Sequence, residues 1–460
     1  MKNKINLIYA MVLMVCTVFV SCNEDDLEQT LENAKSVEGN IKTFEDLDNV
    51  VGAIYSWMTQ TGYYSSYVIK YGDLRSDNAY SQNSATSVSN FNMTGADGYA
   101  SSTWGAIYST IGAVNLAIIS DGVTGDSKKI NHKIGEAYAL RALCYFDLLR
   151  VYGQQFVTGE GGMNSLGIPY IKDFQTSNYY NARNTVAECK TFIEEDLAKA
   201  ITLMTASLDD ASKKYMTTNG VKALQARIAL YFKEFSKARD YANEVIKSNQ
   251  YNVIPLNKYV NSWKTESNEN AIFELAYDNE DNSGTGSLSY TYRHPNFADI
   301  VVYDEVLNIF DANDIRIDKQ MIDKDTKTPV LLRNVGKYPS EDYSDDLAII
   351  RYEEVVLIYA EALFETGGDA LPWLNLIPAQ RNATLYTVAN KENILLERRK
   401  ELLFEGFRFD DLARTGKDIP LTSLEDATPI TFGDYRYAFP ISITEVRRNA
   451  NVLQNKGYSN

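Results

Sequence analysis

The carboxylates are the first residues in this chain that could do chemistry. Asp and Glu number 61 in 460 residues, and two of them flanking a glycosidic bond would suffice for acid and base hydrolysis. Most, however, lie on helical text beside Lys and Arg, in the pattern of salt bridges. No Ser/His/Asp arrangement, metal-ligand spacing or Gly-rich phosphate loop accompanies them. With only two histidines, a histidine-based metal site is not expected. Of the four cysteines, Cys16 and Cys22 fall in an apolar leader. Cys144 and Cys189 lie in helical text without CxxC spacing and read as free buried thiols. Aromatic residues suit ligand contact better. There are 32 tyrosines, and those in loops with Ser, Asn and Asp offer ring faces beside polar edges, as a pyranose requires. Many others recur at helical spacing and are core material. The net charge of −16 argues against nucleic acid and against adhesion to an anionic membrane. The reading is a binding protein, not an enzyme, with no cofactor and no metal.

The elements that must position these residues are helices. Residues 135–153, GEAYALRALCYFDLLRVYG, form a segment apolar around most of its circumference, so it must be buried. Steps of about 100° place Glu136, Asp147 and Arg150 on one stripe and Arg141 nearly opposite, in the interior. A buried guanidinium needs a carboxylate or several carbonyls, and Arg141 reads as half of a structural ion pair. A second apolar helix, expected over 347–365, carries Glu354, Glu361 and Glu365 on one stripe and Glu353 opposite. These are candidate partners for Arg141 or for Arg351, and spacing does not choose among them. Residues 392–414 read as a charged helix broken near Gly406. Further helices are expected over 43–58 with Thr43 as N-cap, 104–119 with Trp104 on the buried face, and 185–204. Residues 221–232 and 236–248 read as a hairpin whose small and aromatic residues resemble a tetratricopeptide repeat. Between 251 and about 339 the periodicity fails: IFELAYD alternates like a strand and DNSGTGSLSYTYRHPNF reads as a long polar loop.

Three motifs carry a family resemblance: RYEEVVLIYAEA at 351–362, ERRKELLFEGFRFDDLAR at 397–414, and Pro440-Ile441 followed by Asn449 and QNKGY at 454–458. In this order they closely resemble the SusD/RagB family, surface lipoproteins that bind nutrients beside a TonB-dependent transporter in Bacteroidetes outer membranes. The chain departs from the family at 371–383, where LPWLNLIPAQRNA lacks the usual Arg-x-Arg-Ala ending. The resemblance implies a mainly α fold of four stacked tetratricopeptide-like hairpins with an irregular loop-rich part over them.

The chain then divides into a signal at 1–21, an acidic tether at 22–40, an N-terminal part at 41–250 and a C-terminal part at 251–460. Lys2 and Lys4, the apolar run from Ile5 to Val20 and the sequence VFVSC resemble a lipobox with Cys22 as the acylated residue. The following Asn23-Glu24-Asp25-Asp26 resembles a surface-export tag. The family likeness implies a lipid-anchored protein on the outer face of the cell outer membrane. It would capture an oligosaccharide or polysaccharide and deliver it to a SusC-like TonB-dependent transporter, a peptide ligand or a pure transporter scaffold being the alternatives. Because rings on exposed loops are free to stack, the expected ligand contacts are Tyr64, Tyr80, Tyr290 and Tyr292, with Asp73, Arg75 and Asn78 as hydroxyl partners.

Overall fold

A computed structural model describes residues 41–174, 180–293, 297–325, 330–420 and 429–459. The leader, Cys22 and the acidic tether lie outside the described residues. The fold is mainly α, and its long helices form where apolar periodicity is strongest. Helix α1 (Phe44–Met58) opens with a capping box in which Thr43 and Asp46 satisfy each other's backbone N–H groups. Helix α2 (Tyr67–Leu74) follows, then α3 (Gly98–Ile118) and α4 (Ser127–Tyr152), which starts eight residues before its apolar stretch because Asp126 caps it. Helix α5 (Val186–Leu203) has a second capping box, Thr185 with Glu188. Helices α6 (Thr218–Tyr231) and α7 (Phe235–Lys247) are joined by a short turn. Helices α8 (Tyr352–Glu365), α9 (Lys391–Glu401) and α10 (Arg408–Thr415) follow, with one short helix, Ile443–Arg448, after them.

These helices pack in chain order: α1 on α3, α3 on α4, α4 on α5, α6 on α7, α7 on α8, and α8 on α9. One apolar core runs through them from Ile41 to Val452, with two small satellites beside α10 and α8. Trp104 is buried as its phase predicts, 4.8 Å from Tyr108 and 5.0 Å from Tyr152.

The strands are short and pair across long stretches of sequence. Strand β1 (Ala79–Ser81) pairs antiparallel with β3 (Ile300–Val302), β2 (Ala271–Leu275) with β6 (Leu347–Arg351), and β4 (Ile322–Lys324) with β5 (Leu332–Asn334). This corrects the helix expected from 347. LAIIR is strand because the IFEL segment of β2, buried on both faces, needs a partner for its backbone groups, and α8 starts only after Arg351.

Two glycines weld the halves together. A Cβ on Gly72 of α2 would collide with the Gly406 carbonyl, and one on Gly406 would lie 2.7 Å from the Ile69 carbonyl. Gly406 also has φ +83°, a conformation that favours glycine. The break between α9 and α10 is therefore a point of backbone contact.

The charges of 351–414 are buried and paired. Glu401 sits among Arg381 (2.8 Å), Arg351 (2.8 Å) and Arg316 (3.1 Å), which hold its carboxyl well below the usual range despite burial. Arg351 also reaches Glu353 at 3.1 Å. Arg381, at the place where the chain departs from its expected motif, bridges Glu401 and Glu353. A second knot joins Glu361 to Arg414 at 2.6 Å and Lys391 at 2.6 Å, and Arg398 to Asp411 at 3.0 Å. Neither Glu354 nor Glu361 meets Arg141. Glu354 takes Arg227 at 2.6 Å, and Arg141 grips Asp196 of α5 with two bonds of 2.7 Å, with Asn115 accepting from its Nη1. The reason is proximity: α5 is the principal partner of α4.

Candidate functional site

The segment 64–80 is not the exposed loop that its composition suggests. Tyr64 is buried and donates to Asp147 at 2.6 Å, stacked on Tyr63 at 4.4 Å. Asp73 is fully buried, accepting from Asn78 Nδ2 (2.9 Å) and the Phe404 N–H (3.3 Å), and burial pushes its carboxyl up to about 6. Arg75 donates to the carbonyls of Arg436 and Tyr437 and lies 3.6 Å over the Phe409 ring and 4.4 Å over Phe439. The Asn78 side chain is taken by Asp73 and by Arg399 Nε at 3.0 Å. Tyr292 is buried against Phe404 and Tyr338, its hydroxyl 3.4 Å from Asp73. Asp73, Arg75, Asn78 and Tyr292 therefore form an internal knot between the N- and C-terminal parts, and Tyr64 is tied down within the N-terminal part. Each is polar or aromatic because it has a partner inside the fold: Asp147 for Tyr64, the 436–437 carbonyls for Arg75, and one another for Asp73, Asn78 and Tyr292.

Tyr80 and Tyr290 remain half-buried at the surface, and the structure sets each among rings that spacing did not reveal. Pairing of β1 with β3 brings Tyr80 opposite Val301 and 5.1 Å from the Tyr303 ring. The adjoining loop is held by Asp299, which accepts from Ser81, Ser84 and the Asn83 N–H. Beneath it Lys70 is buried with its ammonium 4.7 Å from the Tyr67 ring and 5.2 Å from Tyr99, and burial lowers it to about 8.

Tyr290 stacks on Phe297 at 4.9 Å with the planes 14° apart, and Tyr343 meets it edge-on at 6.1 Å. All three are partly exposed. Ser287 positions the first ring by capping the short helix Leu288–Tyr292, and Arg293 ties the shelf to the 339–346 loop by donating to the Pro339 carbonyl. Beside that loop opens a polar cavity of about 260 Å³, with Trp263, Asn268, Glu274, Ser340 and Asp345 in its wall. Burial pushes the carboxyls of Glu274 and Asp345 up to about 7. The Trp263 ring is covered by Lys337 at 4.6 Å, so this cavity presents hydrogen-bonding groups more than a ring face. Phe297, Tyr343 and the cavity residues escaped sequence reasoning because they come from separate segments, most of them irregular and Glu274 from strand β2. The only available signal was their shared lack of periodicity.

No group of three or more His, Cys, Asp or Glu side chains placed to hold a metal occurs among the described residues, and no helix among them is long and apolar enough to cross a membrane. Cys144 and Cys189 are both buried and free.

Comparison with known proteins agrees with this architecture. A SusD-like family model described as starch-binding and associating with the outer membrane matches residues 24–230. A SusD-like protein, P38, of Formosa agariphila is 25% identical across 89% of this chain and 91% of its own length. The starch-binding protein SusD of Bacteroides thetaiotaomicron is 33% identical over 27% of this chain and 24% of its own. Among solved structures, a SusD superfamily protein from Bacteroides vulgatus superposes with a TM-score of 0.83 at 29% identity, covering 91% of this chain and all of that one.

Proposed function

This chain belongs to the SusD/RagB family, and from that premise we propose that it is a surface glycan-binding lipoprotein that captures an oligosaccharide and passes it to a SusC-like TonB-dependent transporter. The observation that carries the reading is the match of residues 24–230 to a family described as starch-binding and associating with the outer membrane. The ring surfaces support it. The Tyr290, Phe297 and Tyr343 shelf, with the polar cavity beside it, offers apolar faces for the C–H side of a pyranose and carboxyl, amide and hydroxyl groups for its rim. Tyr80, backed by the buried Tyr303 ring at 5.1 Å, is a second, smaller ring surface. Anchoring through an acylated Cys22 would hold these surfaces at the outer leaflet. Binding needs no cofactor and breaks no bond.

Affinity electrophoresis in gels containing single polysaccharides, with hydrolysis assayed in the same gel, tests both parts of this proposal. Retardation by at least one glycan without its degradation is expected. Mobility unchanged in every glycan, or loss of the glycan from the gel, would refute it. With a retarding oligosaccharide in hand, calorimetry should show Tyr290→Ala losing roughly fivefold or more in affinity, as a stacked ring contributes about 1 kcal/mol beyond its area. Tyr292→Ala should instead lower the melting temperature, since that ring is internal.

A further inference from the structure

The polar cavity of about 260 Å³ beside the ring shelf is walled by acceptors that lack counter-charges. Leu275 of β2 faces Leu347 of β6, so Glu274 on one strand and Asp345 and Asp346 just before the other arrive at the same end of the pair. Asp346 has Lys214 at 3.2 Å, and Lys214 also holds Glu266 at 2.8 Å. Glu274 and Asp345 have no ion-pair partner among the described residues. Glu274 is 5% exposed and accepts the Ser267 N–H on Oε2 at 2.9 Å, while its Oε1 accepts nothing from the described residues. Asp345 accepts only the Ser340 N–H, at 2.9 Å and 3.2 Å.

The donors of the wall are spent elsewhere. Asn268 Nδ2 donates to the carbonyls of Ser262 and Thr265, Asn270 Nδ2 to Glu353, and the hydroxyls of Ser340 and Ser344 to Asp342. Arg351 is shared among Glu353, Glu401 and Glu405. Lys264 is exposed to solvent, and Trp263 Nε1 has no partner but is itself buried.

A cavity of this kind needs a ligand that brings donors, and carboxyls without a counter-ion favour a cation. The net charge of −16 draws one in. A bare metal ion does not fit, because it needs several converging oxygens and no group of three such ligands occurs among the described residues. An ammonium group fits, since its three N–H donors reach separate acceptors. Only Ser344 separates Tyr343 of the ring shelf from Asp345 of the cavity, so a pyranose on the shelf can turn a ring substituent toward these carboxyls. Resting on the glycan-binding reading, we infer that the cavity selects amino sugars with a free amine, the ammonium lying on Glu274 Oε1 within the negative field of Asp345 and Asp346 while the sugar ring stacks on Tyr290.

The test is calorimetry of the full chain, just on the acid side of neutrality, with β-1,4-linked tetrasaccharides that differ only at C2: cellotetraose with a hydroxyl, the N-acetylglucosamine tetramer and the free glucosamine tetramer. The free amine should bind at least about tenfold more tightly than the other two, a difference of 1.4 kcal/mol, and added salt should narrow the gap. Glu274→Gln removes the charge while keeping an acceptor for the Ser267 N–H, and it should abolish the preference. Glu392→Gln removes the same charge from an exposed position on α9 and should retain it, whereas a general attraction of a polycation to an acidic chain would respond alike in both variants. Equal affinity for the amine and hydroxyl tetramers, a preference that survives Glu274→Gln, or binding of none of the three overturns the inference. Gel retardation by a neutral polysaccharide alongside any of those results leaves glycan binding standing, while absence of retardation in every gel removes that premise itself.

Discussion

Arg141 shows how a single buried charge is resolved. The guanidinium is held by both Asp196 oxygens at 2.7 Å, and Tyr170 donates to Asp196 at 2.6 Å. Replacing it leaves a buried carboxylate, so Arg141→Met should cost about 3–5 kcal/mol in denaturant titration, with ligand preference unchanged in any protein that folds. Adding Asp196→Asn should recover part of the loss. Glu274 behaves in the opposite sense. Burial raises its carboxyl from 4.5 to about 7, so the folded state holds a proton that the unfolded chain has released between those values. Its contribution therefore falls as pH rises from about 4.5 to 7 and stays unfavourable above. Glu274→Gln, which can still accept from the Ser267 N–H, should stabilise the protein by up to about 3 kcal/mol at pH 8 and have little effect at pH 4. A melting-temperature series of both proteins from pH 4 to 8 checks this, and parallel curves would contradict it.

At the scale of elements, the most sensitive contact joins α2 to the break between α9 and α10. There is no room for a methyl group between Gly72 and Gly406, and no side chain in the contact can move aside because both partners are backbone. Gly72→Ala should therefore destabilise by at least about 3 kcal/mol, more than the 1–3 kcal/mol typical of overpacking in a side-chain core. A larger loss than for Ala substitution at Thr185, where a cap costs about 1 kcal/mol, is the expected order in thermal melts. The same elements show why LAIIR misled periodicity. Five residues that continue the apolar text of α8 belong instead to β6, because strand pairing with β2 satisfies both backbones, and a short apolar run fits strand or helix equally well.

At the scale of the molecule, the halves are interlocked. The knot of Asp73, Asn78, Arg399, Arg75 and the carbonyls of 436–437 ties the N-terminal part to the last helices, and the apolar core is shared. The signature charges of 351–414 are spent inside this scaffold, which explains how they can mark a family while leaving the ligand open. The proposed anchoring at the outer membrane would rest on Cys22. Cys22→Ala should move the chain from the membrane to soluble fractions, read by fractionation and by loss of labelling with a palmitate analogue; retention of both would refute the anchor.

What the sequence determined by itself is what depends on neighbours along the chain. Helical phase put Trp104 and Arg141 inside, Thr43 and Thr185 announced helix starts, and the ordered motifs at 351–362, 397–414 and 440–458 identified the family. These follow from the 3.6-residue period and from local hydrogen bonds, which need no fold to be read. Only the tertiary structure decided what depends on distant segments. Asp196 lies 55 positions from Arg141, and the Tyr290 shelf is completed by Tyr343 from another irregular segment. The same holds for exposure. Composition made Tyr64, Asp73, Arg75, Asn78 and Tyr292 look like ligand contacts, yet a polar residue with a partner is as stable inside as outside, and the partners, Asp147, Phe404 and the carbonyls of 436–437, stand 83 to 362 positions away.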